Sequence, residues 1–168
     1  MHSIRANKTW DLVDLPKHRR ALPCKWVYRL KETSGSTTPK YKARLVAKGF
    51  RQEYGVDFDE IFSPVVKITT LRFMLGVVAT DNLDLIQLDV KTTFLHGDLQ
   101  EEIYMEQPKG FVATGQEHLV CRLRKSLYGL KQAPRQWYKK FDDFIRSVGF
   151  SKSDEDHYLF TKTAHLRG

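Results

Sequence analysis

The sequence predicts an α+β fold with a largely antiparallel sheet. Three observations carry that expectation. Lys25 to Lys31 and Lys40 to Lys48 alternate apolar and charged residues across a Gly/Pro-containing joint, the pattern of a hairpin. Two other stretches, from Thr69 to Thr80 and from Pro134 to Val148, space their apolar residues at helical intervals. Short strand-like runs are scattered between them, with no repeat, low-complexity tract or linker.

Taken in order, the polar first ten residues read as the remnant of a helix, and Trp10 to Pro16 as a short strand closed by proline. In the hairpin, Trp26, Tyr28 and Leu30 share one face opposite Lys25, Arg29 and Lys31, with Val27 the exception. Tyr41, Ala43, Leu45 and Ala47 likewise oppose Lys40, Lys42, Arg44 and Lys48, and Thr33 to Pro39 is loop chemistry. Residues from Gly49 to Pro64 are irregular, with Gly55 and Pro64 as breakers. Thr69 suits the cap of a helix reaching Thr80, with Leu71, Met74, Leu75 and Val78 as its apolar positions. Leu85 to Val90 is an expected apolar strand, Thr92 to Gly97 a short helical turn, and Glu102 to Glu106 and Leu119 to Leu123 are strands. Leu127 to Pro134 turns into a helix with proline in its first turn. Trp137, Phe141, Phe144, Ile145 and Val148 are the expected stripe of that helix, and Gly149 is its stop. His157 begins a last strand.

The 168 residues suffice for one core, and a hydrophobic fraction of 41% argues against disorder. Cys24 and Cys121 have no CxxC spacing and read as buried, reduced thiols, not as zinc ligands. No apolar run nears the ~18 residues of a membrane span, and the N-terminus carries no signal-peptide core, so an intracellular protein is expected. The net charge of +8 is unevenly spread. Lys17 to Arg51 carries eleven bases and one acid, Gln52 to Glu106 eleven acids and three bases, and Arg122 to Lys140 seven bases and no acid. Two basic blocks around an acidic one suit a protein that grips phosphates and holds divalent cations between them; the competing reading is three solvated faces.

Asp89 is the strongest candidate for chemistry. It ends an apolar run and meets a polar break, which suits a metal-binding carboxylate at the end of a buried strand, although it could instead cap the turn at Thr92. On the hairpin, Lys40, Lys42, Arg44 and Lys48 point one way, with i,i+2 neighbours about 7 Å apart. That face suits nucleic-acid phosphates, and Arg44 has the planar fork for a triphosphate; charges protecting an edge strand are the alternative. Asp142 and Asp143 lie in a helical pattern and read as solvated, and Asp154, Glu155 and Asp156 read as loop acids.

Five blocks then occur in order: Cys24-Lys25-Trp26-Val27-Tyr28, Tyr41 through Phe50, Phe62-Ser63-Pro64-Val65, Gln87-Leu88-Asp89-Val90-Lys91-Thr92, and Ser126 through Arg135. Together they resemble the reverse transcriptase domain of copia-type LTR retrotransposons, over nearly the whole chain. The resemblance implies a partial right-hand polymerase fold, with fingers to about Ile68 and part of a palm from about residue 69 to 168, some fingers returning around Leu119 to Ala133. It implies two-metal nucleotidyl transfer in the parent enzyme, with Mg²⁺ as cofactor and an RNA template, RNA–DNA hybrid and deoxynucleoside triphosphates as partners. Asp89 would be the first metal-binding carboxylate and the Val90 carbonyl a second metal contact. Phe94 would gate the sugar, and Lys42 and Arg44 would contact the triphosphate. Gly129, Lys131, Gln132 and Pro134 would line the nucleotide and template pocket, and Arg135 would join Lys40 and Lys48 in binding nucleic acid. Thr93 departs from the alanine usual there. The family's aromatic-Val-Asp-Asp turn is expected beyond the chain, so a truncated, inactive piece of the polymerase is the leading expectation. A non-catalytic nucleic-acid-binding remnant is the alternative, and an open reading frame with no stable product a third possibility.

Overall fold

The computed structural model of the chain describes residues 1–31 and 39–163. The loop expected at residues 33–39 therefore lies outside the described residues, except for Pro39. In chain order the elements are α1 (His2–Ala6), β1 (Trp10–Val13), β2 (Ala21–Leu22), β3 (Cys24–Lys31), β4 (Lys40–Ala47), α2 (Ile68–Thr80), β5 (Asp98–Met105), β6 (Val120–Lys125), α3 (Ala133–Ser147), β7 (Ser151–Lys152) and β8 (Phe160–Thr161). The expected α+β class holds.

Four strands make the main sheet, in the order β1-β6-β5-β2. β6 runs antiparallel to both neighbours, whereas β2 is parallel to β5. Strand alternation explains β6. Cys121 and Leu123 enter the core, while Arg122 and Arg124 stay in water and ion-pair with Glu102 and Asp11. The core gathers Leu22, Ile103, Met105, Cys121 and Leu127, all nearly inaccessible, with Leu45, Ala47, Leu95, Leu130 and Ala133 packed around them. Each large apolar chain so buried stabilises the fold by about 1.5–3 kcal/mol. This core draws on both basic blocks, so the hairpin's base and the segment before α3 are fixed to the same sheet.

The hairpin forms as expected. β3 and β4 pair antiparallel from Cys24↔Ala47 to Lys31↔Lys40. The short turn expected after Thr92 is a 3-10 turn over Thr93–His96. Among the described residues no helix is long and apolar enough to cross a membrane.

Five local expectations need correction. Leu85 to Val90 forms no strand; Ile86 and Leu88 are 79% and 85% exposed. The run has the side chains of a buried strand, but no described strand lies beside it to complete a ladder. In α2 no residue is buried, so its apolar positions do not face the core. Thr69 does not cap α2 either. The Asp156 carboxylate instead ties the residue before α2 to the C-terminal segment, accepting the Lys67 N–H at 3.2 Å and the Tyr158 N–H at 2.9 Å. These bonds, the Tyr158 N–H foremost, hold its pKa below the ordinary aspartate value. On α3, Tyr138 and Gln136 are buried while Phe144 is exposed, because the face that meets the sheet runs along Ala133 and Gln136, off the expected stripe. The last expected strand shortens to β8, paired with β7.

Candidate functional site

Two glycines fix the frame of the site. At Gly129 the backbone has φ +91°, and a Cβ there would lie 2.1 Å from the Ala47 carbonyl oxygen. At Gly49 a Cβ would lie 1.8 Å from the Gly129 carbonyl oxygen. No side chain fits between these backbones, so the turn before α3 presses directly on the end of β4. The Ala47 N–H donates to the Tyr128 carbonyl at 2.8 Å, and Val46 and Tyr128 form a parallel bridge. Tyr128 thereby becomes an extra element beside β4.

A second clamp holds this turn. Gln132 is fully buried; its Nε2 donates to the Asp57 carbonyl at 2.9 Å, and its Oε1 accepts from Gln52 Nε2 at 2.9 Å. The Lys131 N–H donates to Gln52 Oε1 at 2.8 Å. Every arm of this amide pair except one N–H on each is used, which suits a buried position.

The framed turn walls a cavity of about 530 Å³. Lys42 and Arg44 of β4 line it together with Asp89, Val90, Lys91 and Thr93, with Tyr128, and with Ile4 and Leu127. The Arg44 guanidinium lies 5.6 Å from the Tyr128 ring centroid, a cation–π distance. Phe94 meets the same ring edge-on at 4.8 Å. The chain turns sharply at Thr92, a β-branched residue at φ +53° that also lines the cavity. The Thr93 hydroxyl donates to the Val90 carbonyl at 2.9 Å, and His96 Nε2 contacts the Lys91 carbonyl at 3.1 Å.

The structure thus brings together Lys42, Arg44, Asp89 and Val90, and reaches Phe94 through Tyr128. Asp89 is exposed at the cavity wall, not buried at a strand end as its sequence neighbours suggested. The other expected residues stand elsewhere. Gln132 is consumed by the buried clamp, and Lys131 sets its Nζ 4.5 Å from the Phe58 ring centroid. Pro134 occupies the exposed first turn of α3. Arg135 is engaged within the fold, paired with Glu60 and donating to the Phe62 carbonyl at 3.3 Å. Gly129 shapes the cavity without lining it. Lys40 is exposed on the hairpin, and the Lys48 N–H bonds the Pro23 carbonyl. Sequence reasoning missed Tyr128 as a site residue and Gln52 as its support. Tyr128 stood in a quoted motif, but nothing local shows that it will sit between Arg44 and Phe94.

Chemically, the cavity offers three cations, Lys42, Arg44 and Lys91, with aromatic side chains and the Asp89 carboxylate, an arrangement that suits an anionic ligand. The family described as "Reverse transcriptase (RNA-dependent DNA polymerase)" matches residues 7–166. The chain belongs to the reverse transcriptase family. This reverse transcriptase chain is 57% identical over 162 residues to the "Retrovirus-related Pol polyprotein from transposon TNT 1-94" of Nicotiana tabacum, covering 96% of the chain and 12% of that protein. It is 46% identical over 155 residues to the Pol polyprotein from transposon RE1 of Arabidopsis thaliana, covering 92% of the chain and 11% of that protein. A more distant relative is the Ty1-DR4 Gag-Pol polyprotein of Saccharomyces cerevisiae, 28% identical over 138 residues, 82% of the chain and 8% of that protein. The chain thus spans about an eighth of the plant polyproteins it resembles. No solved structure matches it.

The donor set can be tested against the metal that the family implies. Asp89 and the Val90 carbonyl are hard oxygen donors of the kind magnesium takes, but among the described residues Asp89 is the only carboxylate lining the cavity. No group of three His, Cys, Asp or Glu residues among the described ones is placed to hold a metal ion. The residues present do not fit a two-metal seat.

Proposed function

We propose that this chain carries the first part of the nucleotide site of a retrotransposon RNA-directed DNA polymerase, and that alone it binds without catalysing. The observation that carries this reading is the meeting of Lys42, Arg44 and Asp89 around one cavity in a chain of this family. Lys42 and Arg44 take the triphosphate, Arg44 in the fork geometry that suits phosphate oxygens. Tyr128 holds the Arg44 guanidinium in place and backs Phe94, which stands toward the sugar. In the complete polymerase Asp89 would be one magnesium ligand, with RNA template and RNA–DNA hybrid as partners. Residues to about Ile68 correspond to fingers and those from about 69 to partial palm, with Leu119 to Ala133 returning to the fingers.

Titration of the purified chain with a fluorescent deoxynucleoside triphosphate tests this. Binding should weaken at least tenfold in Lys42→Gln with Arg44→Gln, since each lost charge-assisted hydrogen bond is worth about 1.5–3 kcal/mol. Unchanged affinity would refute the site. Asp89→Asn should leave stability within about 0.5 kcal/mol, as expected for an exposed residue. Primer extension should be undetectable; Mg²⁺-dependent extension by the chain alone would overturn the inactive reading. A second reading, nucleic-acid binding with no nucleotide site, is favoured by the cations of the hairpin.

A further inference from the structure

A second cavity, of about 380 Å³, is lined by residues of α1, β1 and β6 and by the segment 107–113. Its size falls within the roughly 300–1,000 Å³ of small-molecule sites. Among the described residues the two cavities share only Met1 and Ile4, so Lys42, Arg44, Asp89 and Tyr128 have no part in this one. Its wall is mainly apolar. Ile4 and Pro108 are buried there, with Leu12 beside them and two aromatic side chains, Trp10 and Phe111.

Most polar side chains on the wall are already engaged. The Thr9 hydroxyl donates to the Ile4 carbonyl at 2.9 Å, and Asp11 is paired with Arg124. Gln107 Nε2 donates to the Gln116 and Leu119 carbonyls at 2.7 and 2.9 Å, and its Oε1 accepts the Ala113 N–H at 2.9 Å. One amide thus ties three points of the segment that follows it and holds that wall without help from a ligand. Arg5 and Lys8 are the exceptions. Both are exposed, so they stand at the rim, and among the described residues neither forms an ion pair.

We infer that this cavity binds a small aromatic monoanion, a flat apolar ring system carrying one carboxylate or sulfonate. The rings take the apolar wall, where Trp10 and Phe111 offer aromatic contacts. The anionic group takes Arg5 and Lys8. A cationic ligand would meet two unpaired cations, since the carboxylate on this wall already belongs to Arg124. A strongly polar neutral ligand would find the inner polar groups spent on one another and would leave its own unpaired.

Isothermal titration calorimetry of the full chain with naphthalenesulfonate tests this. The probe should saturate one site per chain, half-filled at about 1 mM or below, as expected for so small a ligand. Neutral naphthalenemethanol should bind the parent chain at least about fivefold more weakly. The Arg5→Gln, Lys8→Gln double variant changes exposed residues only and should weaken the sulfonate by about the same factor, while leaving the alcohol unaffected. Ala113→Trp, which fills the cavity, should abolish measurable binding. The charge-matched variant Lys17→Gln, Arg72→Gln, altered away from the cavity, should bind the sulfonate as the parent does. A deoxynucleoside triphosphate should not displace the probe, which separates this site from the one containing Lys42 and Arg44. The inference is overturned if no saturable binding appears up to about 5 mM. It is also overturned if the alcohol binds as tightly as the sulfonate, if either cavity variant binds as the parent does, or if the triphosphate competes.

Discussion

Gly129→Ala is the sharpest test of how the cavity is built. An L side chain at φ +91° is strained, at about 1–2 kcal/mol. The new methyl would also meet the Ala47 carbonyl oxygen at 2.1 Å and Val46 Cγ1 at 2.8 Å. These are neighbours in a paired strand, so the turn must move away, and overpacking of this kind costs about 1–3 kcal/mol. Moving the turn lengthens the 2.8 Å bond from Ala47 N–H to the Tyr128 carbonyl, a further loss of about 1 kcal/mol. The expected total is about 3–6 kcal/mol. Gly110→Ala is the matched control: its φ is +81°, but a Cβ there meets nothing within 4 Å, so only the strain of about 1–2 kcal/mol applies. Urea unfolding followed by tryptophan fluorescence reads the difference. With a slope of about 2 kcal/mol per M, the midpoint of Gly129→Ala should fall at least about 1 M below that of Gly110→Ala. Triphosphate binding should weaken in Gly129→Ala alone, because Tyr128 leaves Arg44 and Phe94. Equal midpoints for the two variants would refute the contact between the turn and β4, and with it this account of the cavity wall.

Other outcomes follow from the same contacts. Gln132→Leu should cost about 2–4 kcal/mol by chemical denaturation, since it strands buried polar groups on Gln52 and Asp57; a double-mutant cycle with Gln52→Leu should show strong coupling. Asp156 has a depressed pKa when folded, so its stabilisation is present above the ordinary aspartate value of 3.8 and is lost as pH falls through the lower folded value. Asp156→Asn should therefore be less stable than the parent at neutral pH, with the gap closing in acid unfolding below pH 3.8; a gap independent of pH would count against a charged Asp156 holding these bonds. Burial pushes the Cys24 thiol up to about 11 and that of Cys121 up to about 12, assisted by the Glu106 charge at Cys24 and by Cys24 itself at Cys121. At pH 8 alkylation of Cys24 should be about 200-fold slower than that of a free cysteine, with denaturation restoring the rate.

Which parts of this protein were legible in its sequence follows from the range of the interactions involved. The hairpin was legible because period-2 alternation and the joint between its strands are local, and the register follows once both strands are placed. The turn at Thr93 to His96 and the stop of α3 at Gly149 are local for the same reason. The Asp89 segment misled because a strand is a relation between segments. Leu85, Ile86, Leu88 and Val90 have the right side chains, but without a described neighbour their backbone has no ladder and they stand in solvent. For Gln132, which the resemblance implies in the nucleotide and template pocket, the sequence showed no sign that Gln52, 80 residues earlier, takes its Oε1 and holds it in the interior. The same long-range contact explains why Tyr128 went unassigned. Its role beside Arg44 and Phe94 exists only because Gly49 and Gly129 let two distant backbones touch. A buried amide pair thus fixes the turn, the turn sets an aromatic ring, and the ring holds the arginine that lines the cavity with Asp89. Disrupting Gln52 should accordingly weaken triphosphate binding although Gln52 lines no part of the cavity.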